Sequence, residues 1–213
     1  MAELELAPAT ELEAVNVLLS VIGESPVNDL DYANNLYSSL ARQTLYSVSR
    51  EVQSRGWYFN QSESITLPID DDGHVQPTAV ILKLYPARGG APLTIRNGRV
   101  WNPLTNSDTF AAAPTADFVV WFLIFEELPE SAKRYITIRA ARIFQTSVLG
   151  SDQLNAFSQQ HEREAYQIFI QEAADFEYGR GWNILSGSTD TSDILGDDNA
   201  VTVGSSTSTD ITT

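Results

Sequence analysis

The hydrophobic period of this chain changes twice, and the two changes set the order of its layers. Up to Arg55 apolar residues recur every three or four positions, as on one face of a helix. In the stretch SREVQSRGWYFN, residues 49–60, that pattern stops at Gly56 and three aromatics follow at once, Trp57, Tyr58 and Phe59. From there to Phe125 the chain reads as short β-rich pieces, and after Pro129 the helical period returns. Helices interrupted by a run of strands describe an α+β protein. The expectation is an antiparallel four-helix bundle with a small antiparallel β domain inserted in it. Its segments are 1–56, a first helical hairpin; 57–125, the β-rich insert; 126–182, a second hairpin; and 183–213, an extended C-terminal tail.

Local signals supply the boundaries. Thr10 and Glu13 have capping-box spacing, and Leu12, Val15, Leu19 and Ile22 carry a helix to Gly23. A second helix is expected from about Asp29 to Arg55, with Leu30, Ala33, Leu36, Leu40, Val48 and Val52 on its apolar face, spanning about 40 Å. Gly56 fits the left-handed residue that closes it. Strands are expected at Ile65–Leu67, Val80–Tyr85, Leu93–Ile95, Val100–Trp101 and Asp117–Phe125, with Asn97-Gly98 as a type I′ turn. Pro129 opens a third helix, Glu130–Leu149, whose face is Ala132, Ile136, Ala140, Ile143 and Phe144, and Gly150 stops it. Ser151 caps a fourth, Asp152–Tyr178, lined by Leu154, Phe157, Ala165, Ile168, Phe169 and Phe176.

Charge narrows the functions open to such a fold. With 28 acidic and 13 basic residues the net charge is −15, which opposes wrapping around phosphate backbones. The basic residues gather on the third helix as Lys133, Arg134, Arg139 and Arg142, facing a fourth helix rich in acids that include Glu164 and Glu172. Two readings suit this: charge balance within a helix pair, or a charged face meeting a neighbouring subunit. From Ser186 onward there is no basic or aromatic residue, a composition that cannot bury enough apolar area to fold alone. The alternating Val201, Thr202 and Val203 could still add a strand to a partner's sheet.

The residues offer little for catalysis. There is no cysteine, hence no disulfide or thiolate chemistry, and no basic-then-apolar leader, from which synthesis inside a cell is expected. The longest apolar run, Phe118–Phe125, is too short to cross a membrane and reads as a buried strand. His74 and His161 lack the spacing of a zinc site, and no metal or cofactor is expected. Asp70-Asp71-Asp72-Gly73 puts Pro68 and Ala79 where a calcium loop needs carboxylates, so it reads as a turn. Glu126 and Glu127, near Glu130, could form the acid and base of a sugar-cleaving site beside the Trp57 aromatics; their simpler role is to meet a helix dipole. Trp57, Tyr58 and Phe59 are expected to fix how the sheet sits on the helices.

Three stretches carry a resemblance: EAVNVLLSVIGESPVNDL (13–30), SREVQSRGWYFN (49–60) and FEELPESAKRYITIRAARIFQTSVLGS (125–151). In sequence, order and separation they resemble the tail tubular protein A family, the adaptor or gatekeeper proteins of short-tailed bacteriophages, over about residues 10–178. The resemblance implies a structural virion protein forming a twelve-fold ring, docked between the portal protein and the tubular tail nozzle at the portal–tail junction. It further implies a helical bundle in the ring, a β-rich outer domain offering tail-fibre attachment, and double-stranded DNA leaving through the ring without specific binding. An acidic wall would let phosphate slide past. Interface contacts are then expected at Pro26 and Val27, at Arg134, Arg139, Arg142, Glu164 and Glu172, with Gly56–Phe59 as a domain junction and Val201–Val203 against the nozzle. The alternatives are an enzyme degrading envelope polysaccharide during infection and an acidic chaperone or regulatory module.

Overall fold

Thr10 starts the first helix as its spacing from Glu13 predicts. Its hydroxyl accepts the Glu13 backbone N–H at 3.2 Å, opening α1, Glu11–Ser20. The return bond of the box lands one residue upstream, where the Ala9 N–H donates to Glu13 Oε2 at 2.7 Å. At the far end Gly23 has φ +81°. The N–H groups of Gly23 and Glu24 donate to the carbonyls of Ser20 and Leu19, so Gly23 closes the helix in the left-handed manner expected of it. The computed structural model describes residues 8–30, 36–77, 79–150 and 152–180, and the side chains of all of these except 152–158 and 177–180. The expected Ser151 cap, Ala33 and the Val201–Val203 strand fall outside the described residues, as do the side chains of Leu154 and Phe157.

The second helix starts later than its periodicity suggests. Asp29 and Leu30 are not helical, and α2 runs Leu36–Gln53, 18 residues and so about 27 Å rather than 40. The cause is a long-range clamp. The Asn16 side chain accepts from the Val27 N–H at 2.8 Å and donates to the Val27 carbonyl at 3.0 Å, satisfying that backbone outside any helix. The buried stripe of α2 is Ser38, Ala41, Leu45, Val48 and Val52, while the predicted core residues Leu36 and Leu40 are 77% and 38% exposed.

Five strands follow: β1 Gln61–Thr66, β2 Ile81–Pro86, β3 Thr94–Arg96, β4 Arg99–Trp101 and β5 Thr115–Trp121. They make two antiparallel sheets rather than one, a three-stranded sheet in the order β1-β5-β2 and the β3-β4 hairpin. Asn97 and Gly98 both have positive φ, 50° and 76°, as a type I′ turn demands. The expected last strand stops at Trp121 instead of Phe125, and Phe125–Glu127 forms a single 3-10 turn. Leu67, Val75, Ile81, Leu93, Val100, Ala116 and Val119 build a core of the β region's own.

Pro129 directly precedes α3, Glu130–Leu149, and Gly150 ends it at φ +62°. Ala132, Ile136, Ala140 and Phe144 are fully buried, as predicted. The last helix, α4, is Asp152–Arg180. Ala165, Phe169 and Ala173 join α1, α2 and α3 in one helical core, whereas Ile168, predicted to line that face, is 51% exposed. By contact the chain divides into two units, Met1–Asp175 and Phe176–Thr213. The first holds every described strand and both cores; the described part of the second is the end of α4, where Phe176 is 42% exposed.

Candidate assembly surfaces

Where helix meets sheet, polar side chains complete what the aromatics begin. Gly56 turns the chain at φ +81°, so close to the sheet that a Cβ there would sit 3.0 Å from Val120 Cγ2. Trp57 then enters the helical core at 4% exposure, donates its indole N–H to the Val52 carbonyl at 2.8 Å and meets the Phe169 ring edge-on at 4.5 Å. Burying that indole contributes roughly 4–6 kcal/mol. Tyr58 and Phe59 are half-buried beside it, and the Tyr58 hydroxyl donates to Glu172 at 3.0 Å. Burial, reinforced by that carboxylate, holds the Tyr58 phenol above its ordinary range, so it stays a neutral donor.

Two residues of the same segment went unnoticed in the sequence. Asn60 is 1% exposed; its amide donates to the carbonyls of Gln53 at 2.9 Å and Trp121 at 2.7 Å, and its oxygen accepts from the Trp57 N–H at 2.7 Å. Gln53, with no exposure, donates to Ser49 Oγ and binds both backbone groups of Leu123. Every polar atom of both side chains is thereby satisfied, which low-dielectric surroundings demand. The signal in the sequence was slight: Asn60 directly follows the three aromatics, and Gln53 lies in the last helical turn before Gly56.

The cations of α3 find partners inside the chain. Arg139 pairs with Glu162 at 2.9 Å and with Glu51 of α2 at 2.8 Å, and Arg142 pairs with Glu162 through Nε. Lys133 is 6% exposed and pairs with Glu130 at 3.0 Å. Of the other residues expected at interfaces, Arg134 is half-buried, Glu164 accepts from Gln160, Pro26 is exposed and Val27 is held by Asn16.

Glu126 and Glu127 are both exposed on the 3-10 turn, side by side rather than across a cleft. Glu126 Oε1 accepts the Glu11 backbone N–H at 2.9 Å, so it meets the positive end of α1. Beside it a groove of about 620 Å³ opens between α2 and the chain returning from β5, bordered by Leu30, Tyr46, Phe122 and Ile124. Of the side chains bordering it Tyr46 and Ile124 are 48% and 57% exposed, while Leu36 and Leu40, on another side of α2, are 77% and 38% exposed.

Asp70-Asp71-Asp72-Gly73 is a turn, its shape set by the Asp70 carboxylate, which accepts from the backbone of Asp72 and His74. His74 lies 3.7 Å from Asp70 and 3.6 Å from Asp108, which pairs in turn with Arg99 at 3.0 Å. Among the described residues no three histidine or carboxylate side chains converge as a metal ion would require, and no helix is long and apolar enough to cross a membrane.

The family model described as tail tubular protein matches residues 12–178, from the start of α1 nearly to the end of α4. The chain belongs to the tail tubular protein family. It is similar to tail tubular protein A of Klebsiella phage KP34, 29% identical over 154 residues that make up 72% of this chain and 81% of that protein. As a tail tubular protein it is a structural component of a phage tail. The match includes the helix-to-sheet junction and both hydrophobic cores, and it stops short of the aspartate-rich residues that follow α4.

Proposed function

We propose that this tail tubular protein is a ring-forming adaptor that joins the portal to the tail nozzle and helps to retain and release the genome. In this reading the four helices act as an antiparallel bundle forming the ring wall, twelve-fold as in the family it resembles. Residues 57–125 stand outside it as the fibre-bearing β domain, and DNA passes the acidic wall ungripped. The observation that carries it is the apolar border of the α2 groove, where Tyr46 and Ile124 stand about half exposed beside Leu30 and Phe122. Exposed apolar side chains around a groove, on a protein of net charge −15, fit a surface that another polypeptide covers. Their burial against a neighbour at roughly 25 cal/mol per Å² supplies a driving force for closing a ring.

Native mass spectrometry of the purified chain, alone and with portal protein, tests the reading. A closed oligomer is expected, reduced to monomer by Tyr46→Glu combined with Ile124→Glu while the helical circular dichroism is kept. A chain that stays monomeric at every concentration and never associates with portal rings overturns it.

A further inference from the structure

Between Gly73 and Ser107 the sequence holds Lys83, Arg88, Arg96 and Arg99 and no acidic residue, within a chain whose net charge is −15. Two of these cations oppose each other. Arg96 and Arg99 are a directly paired position of the β3-β4 ladder, an arrangement that like charges destabilise unless an anion lies with them. Asp108 pairs with Arg99 at 3.0 Å, while Arg96 lies over the Trp101 ring at 5.1 Å and among the described residues forms no ion pair. A groove of about 420 Å³ lies among Arg96, Asn97, Arg99, Trp101 and Asp108. Among the described residues the buried indole N–H of Trp101 has no acceptor, a cost that an incoming oxygen would remove. On the turn after β4, three residues beyond the groove residue Trp101, Leu104 is 81% exposed.

The chemistry that fits is a peptide alternating carboxylates with aliphatic side chains. The chain carries one: Asp190, Asp193, Asp197 and Asp198 surround Ile194 and Leu195 in a stretch without a base. We propose that the β3-β4 groove receives the 190–198 segment of a second copy of this chain, with aspartates on Arg96 and the Trp101 N–H and the aliphatic pair on Leu104. The contact rests on the ring reading in one respect, that a ring brings copies within reach. It would tie each β region to its neighbour and neutralise a basic groove of an acidic chain, with guanidinium–carboxylate bonds supplying register.

The absence of native cysteine makes the test direct. Full-length chains carrying Thr105→Cys or Asn199→Cys, distinguished by mass tags, are coexpressed and oxidised, and the disulfide-linked mixed dimer is quantified. A dominant mixed product is expected, falling at least fivefold with Arg96→Glu, with Asp197→Asn plus Asp198→Asn, or in 0.5 M salt, the circular dichroism being unchanged. An assembled oligomer without the mixed product, or with a yield indifferent to these changes, overturns the contact and leaves the ring reading standing. A monomer that gives no product overturns both.

Discussion

The side-chain amide of Gln53 and the backbone of Leu123 form a two-way hydrogen bond, Nε2 to the carbonyl at 3.0 Å and Oε1 from the N–H at 2.8 Å. In effect the last turn of α2 supplies a one-residue strand to the chain leaving β5. Replacing Gln53 by Ala removes the partner of the Leu123 N–H and carbonyl and the donor to the Ser49 hydroxyl oxygen, so a loss of about 2–4 kcal/mol is expected. Urea denaturation measures it; the exposed Gln43→Ala, on the same helix, should change stability by less than about 0.5 kcal/mol.

Gly23 and Gly56 share φ +81° but not surroundings. A Cβ at Gly23 meets nothing within 4 Å, whereas at Gly56 it presses on Val120. Gly23→Ala should therefore cost about 1 kcal/mol from the backbone alone, and Gly56→Ala about 2–3 kcal/mol from backbone and contact together. Equal melting-temperature losses for the two variants would refute the added contact.

Glu162 is one carboxylate serving two guanidiniums, and its side chain is only 13% exposed. Glu162→Gln leaves Arg139 and Arg142 facing each other across a neutral group, with an expected loss of about 2 kcal/mol. In high salt the difference between variant and wild type should shrink, since part of it is the unscreened repulsion between the arginines. Denaturation at two ionic strengths reads both effects.

The turn at Asp70 predicts an acid limb in stability. The backbone N–H of His74, with the Gln76 side chain, holds the Asp70 carboxyl below its ordinary range, and the hydrogen bond from Arg99 does the same for Asp108. A carboxyl depressed in the folded state stabilises above its unfolded value, about pH 4, and that contribution fades as pH falls through the folded value. Melting temperature from pH 6 to pH 3 should accordingly fall less steeply in Asp70→Asn than in the wild type.

What could be read from the sequence was what neighbours in sequence decide. Pro129 and Gly150 bound α3, Asn97-Gly98 made its turn, and Gly56 took the left-handed conformation because each is a local backbone requirement. The start of α2 escaped because Asn16 and Val27 settle it from 11 residues apart. Leu36 and Leu40 were assigned to the core by periodicity, but the face of α2 that the rest of the chain covers runs through Ser38, Ala41, Leu45, Val48 and Val52, and tertiary packing chose it. Gln53 and Asn60 escaped for the converse reason, being polar types that ordinarily lie at the surface. The opposition of charges between α3 and α4 was visible, but that Arg139 would also reach Glu51 on α2 depended on three helices meeting.

The bond from the Glu11 N–H to Glu126 spans 115 residues and joins the first helix to the turn that follows the entire sheet. On the ribosome α1 and α2 emerge while the strands are still being translated; Thr10 and Glu13 cap α1 locally, but the Glu11 N–H has no side-chain acceptor until Glu126 appears. Completion of the helical unit is thus timed by the return of the chain from its insert. A truncated polypeptide that stops within the sheet lacks the latch that a finished one carries into assembly.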